Sequence, residues 1–157
     1  MSDKAFMDEA IALARENVAG GGQPFGAVLV KDGKVIARAV NRIEADNDPT
    51  AHAELVALRE AGAALATPRL DGCTVYVSGQ PCPMCLAAMR NAGIAEIVIG
   101  YTNENGAPYG LSSAAATAEL SRPLEEQSWA VIRYFAPEDA ATPGIYRSWA
   151  ARSTEGS

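Results

Sequence analysis

The sequence holds one histidine, three cysteines and no run of basic residues among its 157 positions. Each scarcity excludes something. A metal site here can draw on only one imidazole. An odd cysteine count is a poor basis for a disulfide framework and points to a reducing, cytoplasmic setting, where free thiols favour metal binding. Lys and Arg number 13 against 19 Asp and Glu, for a net charge of −6. Polynucleotide affinity rests largely on basic side chains that neutralise phosphate, so a nucleic-acid partner is not expected. No apolar stretch approaches membrane-spanning length, and Asp3, Lys4, Asp8 and Glu9 interrupt the first nine residues. Neither a spanning helix nor a secretory leader is expected.

What is present is an ordinary globular composition, 48% hydrophobic and 20% charged. A chain this long buries about 70% of its unfolded surface and needs no metal merely to fold. One domain over residues 1–157 is expected. Met7, Ala10, Ile11, Ala14 and Val18 recur at helical spacing, and Gly20-Gly21-Gly22 ends that helix. Phe25 to Lys31 and Lys34 to Asn41 read as strands joined by a hairpin at Asp32-Gly33. After a turn-rich loop come a helix over 51–62 with Thr50 as its cap, a strand over 74–78, a helix over 82–92 opened by Pro83, and a strand over 95–100. A Gly/Asn/Pro-rich loop at 101–110 leads to a short helix at 112–120, a fifth strand at 128–135 and a last helix at 140–152. This order implies an α/β fold, a three-layer α/β/α sandwich whose five-stranded mixed sheet is flanked by helices.

Two stretches carry chemistry. In Gln80-Pro81-Cys82-Pro83-Met84-Cys85 the two cysteines lie three apart at a helix start. That spacing puts both sulfurs on one face, leaning toward a helix N-terminus whose positive end favours thiolate. In Thr50-Ala51-His52-Ala53-Glu54 the lone histidine also sits near a helix start. Two thiolates and one imidazole make a zinc set. With no second histidine and Cys73 nine residues upstream of Cys82, the fourth position is left to water, as in catalytic rather than structural sites. Zinc lowers the pKa of such a water to about 7. Glu54 would lie about 200° from His52 on a regular helix. It is thus off the ligand face and suited to move the proton of that water to a leaving amine. Read alone, Cys-x-x-Cys also fits a redox pair, a lone histidine is often structural, and Cys73 reads as a buried core thiol.

The joined pattern, His-x-Glu followed by Pro-Cys-x-x-Cys, resembles the cytidine-deaminase-like superfamily of zinc enzymes. With Pro24-Phe25-Gly26-Ala27-Val28, Asn41, Asn47-Asp48-Pro49-Thr50-Ala51-His52-Ala53-Glu54 and Pro81-Cys82-Pro83-Met84-Cys85, residues 1–100 look like bacterial guanine deaminases. The resemblance implies the cytidine deaminase-like fold and one zinc ion per subunit, held by His52, Cys82 and Cys85. It implies Glu54 as the proton shuttle. It further implies a pocket in which Phe25 stacks on a base, Asn41 hydrogen-bonds it and the Ala53 N–H meets a ring substituent, with Pro81, Tyr109 and Ser113 also at the substrate. The implied activity is hydrolytic deamination of a free nucleobase, guanine to xanthine foremost, in purine metabolism. Relatives acting on free bases are commonly homodimers. Residues 137–157, with Tyr146 and Trp149, would then form a tail that reaches a partner's site, although these aromatics also suit simple packing of the last helix.

The tRNA adenosine deaminases share the Asp-Pro-Thr-Ala-His-Ala-Glu run. They typically read Pro-Val-Gly-Ala where this chain has Pro24-Phe25-Gly26-Ala27, and they hold RNA on basic surface. Three departures from the guanine deaminases stand out. Gly110-Leu111-Ser112-Ser113 replaces a stretch that usually carries an acidic pair, Gln80 replaces a usual Glu, and Asn91 replaces a common aromatic. A serine accepts a hydrogen bond without charge. Cytosine, isocytosine, a guanine nucleoside or an s-triazine are therefore alternative substrates, with tRNA adenosine behind them. A non-catalytic zinc or RNA-binding protein is the alternative outside enzymes.

Overall fold

The computed structural model of the chain describes residues 2–154. It divides into two compact units, Met1–Arg122 and Pro123–Ser157. The first unit opens with α1 (Asp3–Ala19), capped by Ser2, whose Oγ accepts the Ala5 N–H at 3.3 Å. β1 (Gly26–Lys31) and β2 (Lys34–Val40) follow as a hairpin. Asp32 and Gly33 at its tip have φ of 50° and 73°, the left-handed pair that an Asp-Gly turn supplies. Next come the single turn α2 (Ile43–Asp46), then α3 (Ala53–Leu65), β3 (Cys73–Gly79), α4 (Pro83–Ala92) and β4 (Glu96–Tyr101). α5 (Asn103–Gly106) runs into a 3-10 turn at Ala107–Tyr109, and α6 (Ala114–Leu120) ends the unit's helices.

β1 lies between β2 and β3 and is antiparallel to both, while β4 adds to β3 in parallel. A parallel pair needs a crossover, and α4 provides it. Side chains alternate along β1. Ala27 and Leu29 join the larger core, built with Val56, Ala57 and Ala61 of α3 and Cys85 and Met89 of α4. Val28 and Val30 face the smaller one, with Phe6 and Ala10 of α1 and Tyr76 of β3. The result is a mixed sheet with α1 on one face and α3 and α4 on the other. α1 sits so close that a Cβ on Gly26 would lie 2.3 Å from the Ala10 carbonyl oxygen. Only glycine fits there.

Several expectations need correction. The buried face of α1 is Phe6, Ala10 and Ala14, and Val18 is 51% exposed. The helical period was legible, but its phase was set by Phe6 rather than Val18. α3 starts at Ala53 with His52 as its cap. Thr50 does not cap it; its N–H and hydroxyl both bond the Asp48 carboxylate, at 2.8 and 2.7 Å. The sheet has four strands among the described residues, not five. Residues 128–135, in the second unit, are a mostly apolar run that forms no strand, and a strand exists only when paired. Val131 and Phe135 there are 90% and 98% exposed. The second unit otherwise holds a 3-10 turn at Leu124–Glu126 and α7 (Gly144–Thr154). The final three residues of the expected 137–157 tail lie outside the described residues. No helix among the described residues is long and apolar enough to cross a membrane.

Tyr76 ties α1 to β3 through one part-buried bond, its Oη donating to Asp3 Oδ1 at 2.6 Å. That bond pushes the Tyr76 pKa up from 10 to about 12, with burial adding to it. A folded-state pKa above the unfolded one means stability that is whole below pH 10 and is lost as pH rises through 12. Denaturant melts of the wild type should therefore lose stability across that window relative to Tyr76→Phe. Parallel pH profiles for the two proteins would disprove the assignment.

Candidate metal centre and substrate cleft

The site forms where two helices begin. His52 is the N-cap of α3 (φ −66°, ψ 152°) and Cys82 is the N-cap of α4 (φ −74°, ψ 168°). Neither side chain caps its own helix, so both remain free to turn outward. Pro83 at the first position of α4 fixes the entry and lacks an N–H that would go unpaired in any case. Cys85, in that first turn, leans back toward the same corner. The approach to His52 is locked by Asn47 in the left-handed region (φ 49°) and by Asp48, which holds Thr50. Arg59 of α3 then donates to Thr50 Oγ1 at 2.7 Å and lies 3.5 Å from Asp48. Hydrogen bonding from Thr50 keeps the Asp48 carboxyl below its usual pKa, and so charged.

His52 Nδ1 lies 3.5 Å from Cys82 Sγ and 3.4 Å from Cys85 Sγ. A tetrahedral zinc with Zn–S near 2.3 Å and Zn–N near 2.05 Å requires S···N separations of about 3.5 Å. The donor set and its spacing fit that ion. Among the described residues this is the one cluster of three or more metal-ligating side chains. Cys82 is pushed down to about 4, first by its hydrogen bond from Cys85 and then by His52. Cys85 is pushed up by the same bond and by burial. The hydrogen bond to Cys82 holds the His52 pKa high. Glu54 is buried, only 7% exposed, and its Oε2 is 3.5 Å from Cys85 Sγ. Burial raises its pKa, so it exchanges protons more readily near neutrality than an exposed glutamate. The regular-helix angle expected between His52 and Glu54 does not apply, because His52 stands before the helix rather than in it.

Beside the triad lies a cleft of about 200 Å³, lined among others by Phe25, Asn41, His52, Glu54, Cys82 and Ser113. Asn41 Oδ1 accepts the Ile43 N–H at 3.1 Å, which leaves its amide N–H groups to point elsewhere. The Phe25 ring rests against Gly79, where a Cβ would lie 2.9 Å from the ring. Cys85 is fully buried behind the cleft, and Ala53 and Pro81 are buried beside the ligands. Ala53 opens α3, so its N–H has no partner within the helix. Tyr109 is not brought to the cleft. It is 79% exposed and lines a neighbouring apolar cavity of about 520 Å³, on the far side of Phe25.

Sequence reasoning missed three residues. Gln23 and Gln80 line the cleft. Asn17 of α1 does not reach it, but its Nδ2 donates to the Gln23 carbonyl at 2.7 Å and the Asn41 carbonyl at 3.0 Å, tying both cleft walls to α1. The available signal was an asparagine, a poor helix former, just before a triple glycine. Asn17→Ala should cost roughly 1–3 kcal/mol in denaturant melts and leave zinc content unchanged. His52→Ala should abolish stoichiometric zinc. Full zinc in the histidine variant, measured by elemental analysis, would contradict the ligand set.

Comparison with known proteins agrees with this geometry. Residues 1–101 match the model of the cytidine and deoxycytidylate deaminase zinc-binding region. The chain is 41% identical to the guanine deaminase of Bacillus subtilis over 129 residues, 82% of this chain and 83% of that protein. The X-ray structure of guanine deaminase from Bacillus subtilis superposes with a TM-score of 0.87 at 36% identity, covering 96% of this chain and 95% of that one. The tRNA-specific adenosine deaminase of Bacillus subtilis is 42% identical over 104 residues, 66% of this chain and 65% of its own. With the metal triad, the adjoining glutamate and this match over most of its first unit, the chain belongs to the cytidine and deoxycytidylate deaminase zinc-binding family.

Proposed function

We propose that the chain is a hydrolytic nucleobase deaminase that converts guanine and water to xanthine and ammonia. The observation that carries this reading is the buried Glu54 carboxyl beside the His52–Cys82–Cys85 triad, at the edge of a cleft with room for one base. The likeness to a guanine deaminase over four fifths of the chain supports the choice of base. Zinc, when bound by the triad, supplies a Lewis acid that activates water at neutral pH. Glu54 takes a proton from the attacking water, gives one to the ring nitrogen and then serves the departing amine, so that ammonia leaves. Asn41, with its oxygen already engaged by Ile43, donates an N–H to an acceptor on the base. Phe25 stacks on the ring, and the Ala53 N–H offers a further donor. The cytoplasm suits three unpaired cysteines.

The wall at Ser112 and Ser113 lacks the expected acidic pair, which keeps other amino-heterocycles in view. Ammonia release from guanine, cytosine, isocytosine, guanosine and an s-triazine separates them. Turnover of guanine no better than background would reject the first choice. Glu54→Gln should lower kcat at least 1,000-fold, in keeping with the loss of a general acid–base group, while zinc stoichiometry is retained. Near-normal turnover in that variant would remove Glu54 from its role.

The chain is further proposed to work as a homodimer in which residues from Pro123 onward serve a second copy. Trp129, Val131, Tyr134 and Phe135 are 61–98% exposed, and Ile145, Tyr146 and Trp149 are 66–76% exposed. Such apolar density marks an interaction surface. β4 is likewise an open sheet edge, with Ile99 43% and Tyr101 55% exposed. Sedimentation should give twice the chain mass, and removing residues 123–157 should give a monomer. Unchanged assembly after that truncation would refute the tail's part.

A further inference from the structure

Gln80 immediately precedes Pro81-Cys82 and lines the substrate cleft. Its side-chain oxygen accepts the Asn103 N–H at 2.9 Å. A backbone N–H can only donate, so the amide atom facing Asn103 is oxygen, and Nε2 with its two N–H groups is directed away. Nε2 makes no hydrogen bond among the described residues. Asn103 in turn uses its own Oδ1 to accept from Ser113, the N–H at 3.0 Å and the hydroxyl at 3.2 Å. Ser113 Oγ has its proton engaged in that bond and can otherwise only accept. The two departures noted in the sequence, Gln80 and the serine wall, thus meet at one residue, and their polarities are fixed together. Ser112 Oγ accepts the Ala114 N–H at 3.1 Å, leaving its hydroxyl proton free.

The wall formed by Gln80, Ser112 and Ser113 is therefore uncharged and offers hydrogen-bond donors. Donors come from Gln80 Nε2, Asn41 Nδ2 and Ser112; Ser113 supplies the acceptor. An acidic wall would instead recognise N–H groups on a ligand. We propose that Gln80 is a specificity-determining residue whose Nε2 donates to an acceptor atom on the edge of the bound heterocycle. This rests on the deaminase reading above, and it selects substrates by their ring-nitrogen and carbonyl acceptors.

The competing account is that Gln80 only braces Asn103. Gln80→Glu separates the two, because the carboxylate still accepts the Asn103 N–H but no longer donates. Guanine presents three such acceptors, N3, N7 and O6. N3 is removed in 3-deazaguanine and N7 in 7-deazaguanine; 2-aminopurine removes O6 and also turns the N1 donor into an acceptor. Steady-state kinetics of wild type and Gln80→Glu would be measured on guanine, and binding of all four compounds by calorimetry. Wild type should bind one of the three analogues about 3- to 10-fold more weakly than guanine, the usual size of one lost hydrogen bond. Gln80→Glu should raise KM for guanine by a similar factor, keep zinc content and melting temperature, and erase the penalty for that same analogue. If every analogue keeps its full penalty in Gln80→Glu, or if the variant binds guanine as wild type does, the assignment is overturned and Gln80 is a brace alone. If wild type releases no ammonia from guanine, the deaminase reading for this base falls and the Gln80 assignment falls with it. Should Gln80→Glu not fold, the wild-type series decides alone: equal binding of guanine and all three analogues overturns the assignment.

Discussion

Two helix N-termini must arrive at one corner of the molecule, and most of the first unit serves that requirement. His52 ends the approach to α3, and Cys82 with Cys85 opens α4. The ligand atoms come within 3.4–3.5 Å only because both helices lie on the same face of the sheet and share one core. α3 presents Ala53, Ala57 and Ala61, small residues four apart that let it settle close to the strands. α4 presents Cys85 and Met89 at the same interval, so one of its metal ligands is also a core residue. The parallel β3–β4 pair, with α4 as its crossover, fixes where that helix starts.

The electrostatics of the corner follow from this convergence. Both helices direct their positive ends at the thiols and the imidazole, which favours charge on sulfur. Burial acts against charge on Glu54, whose carboxyl is thereby kept ready to hold a proton. One cleft thus contains a group that sheds its proton early and another that keeps it late. Acid and base work at a single site calls for that division.

Much of this was legible in the residues. The metal ligands declared themselves through type and spacing, because few arrangements of one histidine and two cysteines are useful. The hairpin declared itself through Asp32-Gly33, and α4 through Pro83 and Gly93. Less visible were features decided by long-range contact. The phase of α1 depends on Phe6 meeting Tyr76, at a ring-centroid distance of 5.0 Å. The start of α3 depends on Asp48 capturing Thr50, a local bond that competes with capping. Residues 128–135 are apolar enough for a strand, yet pairing is a property of two segments and cannot be read from one. Asn17 acts through the carbonyls of Gln23 and Asn41, which leave no trace in residue type, and Gln80 showed as a departure without its partner Asn103.

The cap positions of α3 and α4 are filled by metal ligands that make no cap hydrogen bond. In most helices that position is given to Ser, Thr, Asp or Asn, whose oxygen quiets the first unpaired N–H groups. Here the sulfurs of Cys82 and Cys85 stand near those N–H groups at the start of α4, and they carry negative charge best when an ion holds them. Loading the metal and finishing two helix ends are therefore one event. Glu54, one residue inside the first of those ends, stands where the metal and the helix meet.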